Sequence, residues 1–241
     1  MNNTFNFKRF GQVLSRDWKR YIHNFGITLL VWISIPIMFW MTSLVFDFTM
    51  PAGARVFVIG IIVAITIMSA PSRIYGKVNL PREGVEFAML PVTSLEKFLS
   101  MFIYCSILTP LLTVIGCWIV DCLMTLLPFG GFSEFISLQI PREALVMIVA
   151  IITSVWVESS FFMFGNMLFK RRKAGKTFGW ILLFLFTFVI IMEITGGWML
   201  FDYLFSGNNN IANVWIYSAI MFVIACLFYF GTYRKIKNQK Y

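Results

Sequence analysis

Long, nearly uninterrupted apolar runs alternate with short polar connections through most of the chain. A helix needs about 20 mostly apolar residues to cross the roughly 30 Å hydrocarbon core of a bilayer. Six stretches meet that length: Phe25–Phe46, Val56–Ile74, Phe98–Leu127, Glu143–Phe169, Phe178–Leu200 and Ala212–Tyr233. The third and fourth are long enough to tilt, or to extend past the hydrocarbon at one end. An outer-membrane barrel would show alternating segments of ~10 residues instead, and these runs are too long and too uniformly apolar for that. Ahead of them, Phe7, Phe10, Leu14, Trp18, Tyr21 and Phe25 recur at steps of three or four, the mark of one helical face. Lys8, Arg9, Arg16, Lys19 and Arg20 occupy much of the remainder. Such a helix lies in the membrane interface, aromatics inserted and bases toward the headgroups; a plain helical extension of the first span is the alternative.

The pattern predicts an all-α polytopic membrane protein with a single transmembrane domain over residues 1–241. Within it lie an amphipathic helix over 1–24, a six-helix bundle over 25–233 and a short tail over 234–241. Composition agrees: 59% of the residues are hydrophobic and 13% charged, against about 25% charged in a typical soluble domain. No chain of this size could bury that apolar excess in water. A soluble enzyme, a disordered chain and a nucleic-acid-binding domain are therefore disfavoured.

The basic balance, with a pI near 9.6, follows from the distribution of charge. Of the 20 Lys and Arg residues, 18 fall in the N-terminal segment, the second-to-third connection with its flanks, the fourth-to-fifth connection and the tail. Only Arg55 and Arg142 fall on the other side. Short loops rich in Lys and Arg stay in the cytoplasm, which places both termini inside and makes the anionic inner leaflet a natural partner. Ala52-Gly53-Ala54 imitates a signal-peptide cleavage site, but the apolar run before it is longer than the 7–15 residues of a signal; the first span is read as retained. Cys105, Cys117, Cys122 and Cys226 all fall inside spans without disulfide or zinc spacing, and read as small packing residues.

The chemistry is mostly exclusion. A single histidine, His23, stands at the inner edge of the first span, which removes Ser–His proteolysis and multi-histidine metal sites. Ala174-Gly175-Lys176-Thr177 ends like a phosphate-binding loop, but the pattern needs glycine at position 170, where Lys170 stands. No catalytic residue, metal site or cofactor is expected. Three carboxylates fall inside spans rather than at their first residue, Asp121, Glu158 and Glu193, and such groups are functional candidates by default. Asp121 and Glu193 lie toward outer helix ends, where they could reach water. Glu158 lies 12 residues before Lys170, or roughly 18 Å at 1.5 Å per residue, close to mid-membrane. Ser154 and Gly165 share its face, a small and polar stripe suited to a helix interface or cavity. Glu158 reads either as a glutamic acid hydrogen-bonded between helices or as part of a substrate path or gate, with Ser154 and Glu193 as its companions.

The second-to-third connection, Tyr75–Lys97, is the least apolar stretch of the interior. Pro81 is placed like a first-turn helix residue and Pro91 like a stop, so a short helix of two or three turns fits between them. Thr93 with Glu96 matches a capping box at the start of the third span. The segment reads as a docking surface or as a merely solvated loop. Within it, Glu86-Phe87-Ala88-Met89-Leu90-Pro91-Val92-Thr93-Ser94-Leu95-Glu96-Lys97-Phe98 resembles the Leu-Pro-small-small-x-Glu-Lys stretch after the second span of bacterial type-2 ATP-binding-cassette exporter permeases. The span count, the inward termini and the N-terminal amphipathic helix fit that family too. The resemblance implies a permease half of a dimer in the bacterial inner membrane, with ATP hydrolysed by a separate cytosolic subunit and no nucleotide site in this chain. It also implies coupling to that ATPase through Arg82, Glu83, Glu86 and Phe87, and transmission through the interfacial helix carrying Phe7, Phe10, Leu14 and Trp18. The fifth-to-sixth connection, Phe201–Ile211, is short where many members of the family place helices. A membrane scaffold or sensor docking a partner through the same loop, and an ion-coupled carrier using Glu158, are the competing readings. The aromatic-rich spans lean toward a lipophilic substrate.

Overall fold

The computed structural model describes residues 5–78, 80, 84–127, 132, 135–136, 144–195 and 211–238. For residues 86, 88, 144–147, 184, 188–195 and 211–213 it describes the backbone alone. Among the described residues every regular element is helical.

Asn6 starts the first helix, α1 (Phe7–Tyr21), its side-chain oxygen accepting from the Lys8 amide at 2.9 Å. That bond satisfies an amide that would otherwise be orphaned at a helix start. The helix does not stop at the edge of the first apolar run. It passes through a π-helical turn, Ile22–Gly26, into α2 (Ile27–Ile33) and, after Ser34, into α3 (Ile35–Phe46). Pro36 stands at the start of α3, where a missing N–H costs least. α4 (Ala52–Ile74) carries Pro71 in its last turn and ends at Tyr75, whose amide bonds the Pro71 carbonyl at 3.1 Å.

The helix expected between Pro81 and Pro91 is present as one turn, α5 (Val85–Ala88), with residues 81–83 outside the described residues. α6 (Ser94–Phe102) begins with the predicted capping box. The Thr93 hydroxyl accepts from the Glu96 amide at 3.3 Å, and the Glu96 carboxylate accepts from the Thr93 amide at 2.8 Å. A second π-helical turn, Ile103–Leu108, joins α6 to α7 (Thr109–Leu126). α8 (Ala144–Leu168), α9 (Lys173–Thr195) and α10 (Ile211–Lys237) complete the described helices.

Among the described residues, five helical stretches are long and apolar enough to cross a membrane: Phe7–Phe46, Ala52–Ile74, Ser94–Leu126, Ile148–Leu168 and Val214–Lys237. They make this a multi-pass membrane protein, and they cover five of the six spans read from the sequence. The remaining one, Phe178–Leu200, coincides with α9 as far as Thr195; the Gly196-Gly197 pair lies outside the described residues.

The chain divides into two compact units. The first comprises Met1–Tyr75 and Met89–Gln139, the second Gly76–Ala88 and Ile140–Tyr241. In the first, α7 packs on α2, α3 and α4, and α1 packs on α6. Its core includes Ile62, Ile67 and Ala70 of α4 with Met101, Cys105 and Cys117 of the α6–α7 helix. In the second, α8 packs along α10 and against α9. Small residues bring these helices close: Gly165 lies against the Thr177 side chain, and Gly231 against the Phe164 ring. The Phe161 and Phe228 rings meet at 4.3 Å between centroids.

Candidate functional site

Two carboxylates organise the first unit: Asp17, which sequence reasoning passed over, and Glu96, which it read only as half of a capping box. Asp17 of α1 is fully buried. Its Oδ2 accepts from the Ser100 hydroxyl at 2.6 Å and from the Tyr75 hydroxyl at 3.0 Å. Its Oδ1 accepts from the neighbouring Arg16 guanidinium at 2.8 and 3.1 Å. Burial, with the Asp17 carboxylate beside it as a further cause, holds the Tyr75 hydroxyl well above the usual phenol range, so Tyr75 remains a donor. One turn along, the Tyr104 hydroxyl donates to the Leu14 carbonyl at 2.7 Å.

Glu96 makes the second fastening. Besides closing the capping box, its Oε1 accepts from the Asn6 amide at 2.9 Å and from Arg9 at 3.3 Å. One buried side chain thus caps α6 and holds the start of α1. Taken together, the two carboxylates bind α1 to both flanks of the segment 76–92. Tyr75 is its entry, and Thr93, Glu96 and Ser100 follow its exit. Buried polar groups need this kind of saturation, because an unpaired donor or acceptor in an apolar surround costs far more than a satisfied one gains.

The helical face read from the sequence is only partly the packed one. Tyr21 and Phe25 are buried, but Phe7 is 82% and Trp18 43% exposed, while Val13 and Asp17 turn inward. Phe10 and Leu14 are half-buried. α1 therefore has an inward edge of Val13, Asp17 and Tyr21, an outward apolar edge of Phe7, Trp18 and Ile22, and a polar remainder carrying Lys8 and Lys19.

A buried ion pair joins α4 to α7. Arg55 Nη1 reaches both oxygens of Asp121 at 3.0 Å and the Thr125 hydroxyl at 3.2 Å. The Phe132 ring lies 4.5 Å from the guanidinium carbon. Asp121 is only 1% exposed, so it does not reach water as its place near a helix end suggested. A small cavity beside the pair is lined by Pro36, Phe39, Met50 and Phe132. Deeper between the same helices, the Thr113 hydroxyl bonds that of Thr66 at 3.2 Å.

In the second unit, Glu158 is half-buried on α8. Ser154, one turn before it, donates to the Ala150 carbonyl at 2.8 Å and lies 3.4 Å from the Tyr217 hydroxyl of α10. With Gly165 against Thr177 of α9, two members of the small and polar stripe stand at helix–helix contacts. The side chain of Glu193 is outside the described residues. At the start of α9, Lys173 is buried and its ammonium donates to the Gly76 carbonyl. Burial pulls its pKa down to about 8.

Of the expected coupling residues, Arg82 and Glu83 lie outside the described residues, as does the Glu86 side chain; Phe87 is buried on α5. Among the described residues, no group of three or more His, Cys, Asp or Glu side chains stands close enough to hold a metal ion. Comparison with protein-family models, curated proteins and solved structures finds no match to this chain.

Proposed function

We propose that this chain is the membrane-spanning permease subunit of an ATP-binding-cassette exporter. It would have six spans, both termini in the cytoplasm of a bacterial cell, and a separate cytosolic ATPase as partner. Two copies, or this chain and a paired permease, would form the pathway. ATP binding by the partner would favour one arrangement of the copies over another, a population shift driven by differential binding. The substrate class this reading favours is lipophilic.

The observation that supports the reading most is the double role of Glu96. It belongs to the stretch that resembles the exporter permeases, and it fastens the N-terminal helix to the start of α6. Asp17 ties that same helix to the entry of the preceding connection. A push on the connection would reach α1 and two apolar helices through buried, saturated hydrogen bonds. The outward apolar edge of α1 beside its lysines further supports an interfacial placement of that helix.

Purification from native membranes in mild detergent tests the proposal. A soluble ATP-hydrolysing chain should copurify with the wild type and be lost from a Glu83→Arg/Glu86→Arg double variant. No nucleotide-binding chain under several gentle conditions would overturn it. Glu158, half-buried on a membrane-spanning helix, sustains the second reading, an ion-coupled carrier. That reading expects Glu158→Gln to abolish transport while leaving any partner bound.

A further inference from the structure

α10 buries one face and leaves the opposite one open. Ala225, Tyr229, Thr232 and Ile236 are at most 9% exposed, at helical spacings of 4, 3 and 4. The Tyr229 hydroxyl donates to the Trp156 carbonyl of α8 at 3.1 Å, which fixes this as the packed side. On the far side, Ile216, Ile220, Val223, Leu227 and Phe230 form a continuous apolar strip, each between 49% and 66% exposed. It covers 15 residues, a rise of roughly 21 Å at 1.5 Å per residue. At its C-terminal end the strip runs into an open groove of about 280 Å³ lined by Phe230, Tyr233, Arg234, Lys237 and Asn238. The residues Phe230, Tyr233, Arg234 and Lys237 follow one another at 3, 1 and 3, so they share that outer face. Arg234 and Lys237 are exposed, and none of the groove's lining residues is acidic.

We propose that this face binds an anionic phospholipid: the acyl chain along the strip, and the headgroup phosphate between Arg234 and Lys237 with Asn238 as a further donor. Arginine offers a planar fork matched to phosphate oxygens, and lysine a mobile point charge. Tyrosine at the boundary suits a side chain with one apolar and one wet end. The strip is what selects a lipid over free phosphate, because a soluble anion would gain nothing from five exposed apolar side chains leading to its site. The charge is what selects an anionic lipid over a zwitterionic one. The inference requires only that α10 crosses the membrane, and does not rest on the permease reading.

Native mass spectrometry of the delipidated full chain, titrated with phosphatidylglycerol or phosphatidylcholine, tests it. Phosphatidylglycerol should bind at least tenfold more tightly than phosphatidylcholine. Arg234→Ala/Lys237→Ala should lose that preference, whereas Lys235→Ala, a charge removed from another face of the same helix, should keep it. Inorganic phosphate at millimolar concentration should not compete. Equal affinity for the two lipids, a Lys235→Ala loss as large as that of Arg234→Ala/Lys237→Ala, or displacement by phosphate would each overturn the proposal. So would a stable dimer that binds no lipid, since the open face would then be covered by a second copy.

Discussion

Replacing Asp17 by alanine strips the acceptor from two donors that have no access to water, the Tyr75 and Ser100 hydroxyls, both fully buried. A buried donor left unsatisfied costs roughly 1–3 kcal/mol; the Tyr75 and Ser100 hydroxyls also bond each other, so one keeps a partner and the other sets a range of about 1–3 kcal/mol. Two effects push toward its lower half. Alanine relieves the desolvation of a carboxylate, and the Arg16 side chain, 32% exposed, regains its hydration in water. The expected loss is about 1–2 kcal/mol. Asp17→Asn keeps a carbonyl acceptor for the two hydroxyls and should lose less than half as much. Removing every member, Asp17→Ala/Tyr75→Phe/Ser100→Ala, deletes the orphaned donors and should recover part of the loss, because stripping both sides of a hydrogen bond is cheaper than stripping one. Thermal unfolding in mild detergent, followed by helical circular dichroism, measures all three. At about 2–4 °C per kcal/mol for a chain of this size, Asp17→Ala should fall by at least about 2 °C. An Asp17→Ala midpoint within about 1 °C of the wild type, or a triple variant less stable than the single one, would refute the reasoning.

Four further outcomes follow from the same structure. Thr93→Ala should cost about 1 kcal/mol through the lost cap. Glu96→Ala should in addition speed amide hydrogen exchange over residues 6–10, where its Oε1 holds Asn6 and Arg9; Thr93→Ala should leave that exchange unchanged. Gly165→Ala would drive a methyl group into the Thr177 side chain, whose hydroxyl is already committed to the Lys173 carbonyl. Overpacking of that kind costs about 1–3 kcal/mol, and should lower the unfolding midpoint more than Gly175→Ala, where the space is open. Breaking the Arg55–Asp121 pair from either side should cost about 3–5 kcal/mol, and Arg55→Met/Asp121→Leu clearly less than the sum of the single changes, read in the same unfolding assay. Lys173, its pKa drawn down from 10.5 to about 8, is protonated more readily in the unfolded chain. Stability should therefore rise as pH rises from about 8 to about 10.5, and Lys173→Met should remove that share of the slope in unfolding midpoints measured across the window.

What the sequence made legible was local. Apolar length marked the membrane-crossing helices, and Thr93 with Glu96 announced a cap three residues wide. The polar locks were illegible because their partners are remote: Asp17 meets Tyr75 58 residues away and Ser100 83 away. From α1 alone, Asp17 is one more polar side chain on a basic helix. Arg55 and Asp121, 66 residues apart, likewise read as a lone outer cation and a carboxylate near a helix end. Which part of the helical face packs inward was illegible for a related reason. The apolar arc of α1 is wide, and its inward edge is chosen by where Asp17 finds its donors, which periodicity cannot encode. Gly165 was read as part of a stripe on α8, yet that it sits under Thr177 depends on α9, a separate helix.

The π-helical turn at Ile103–Leu108 bears on how this chain tolerates insertions and deletions. Lys97, Met101, Cys105, Thr109, Thr113, Cys117 and Asp121 are all buried, a stripe with a strict period of four. On a regular α-helix each four-residue step overshoots a full turn by roughly 40°, so six steps would carry the stripe about 240° around the axis. A π turn spends more residues per revolution and returns part of that overshoot midway. Its length is therefore a phase setting. Losing one residue between Ile103 and Leu108 would let the turn close into ordinary α geometry, five α residues covering roughly the rotation that the six π residues cover now. Asp121 would still face Arg55. A one-residue deletion there should therefore cost less than the loss of the ion pair, whereas the same deletion between Thr109 and Val120, where the helix is already regular, would turn Asp121 roughly 100° away from Arg55.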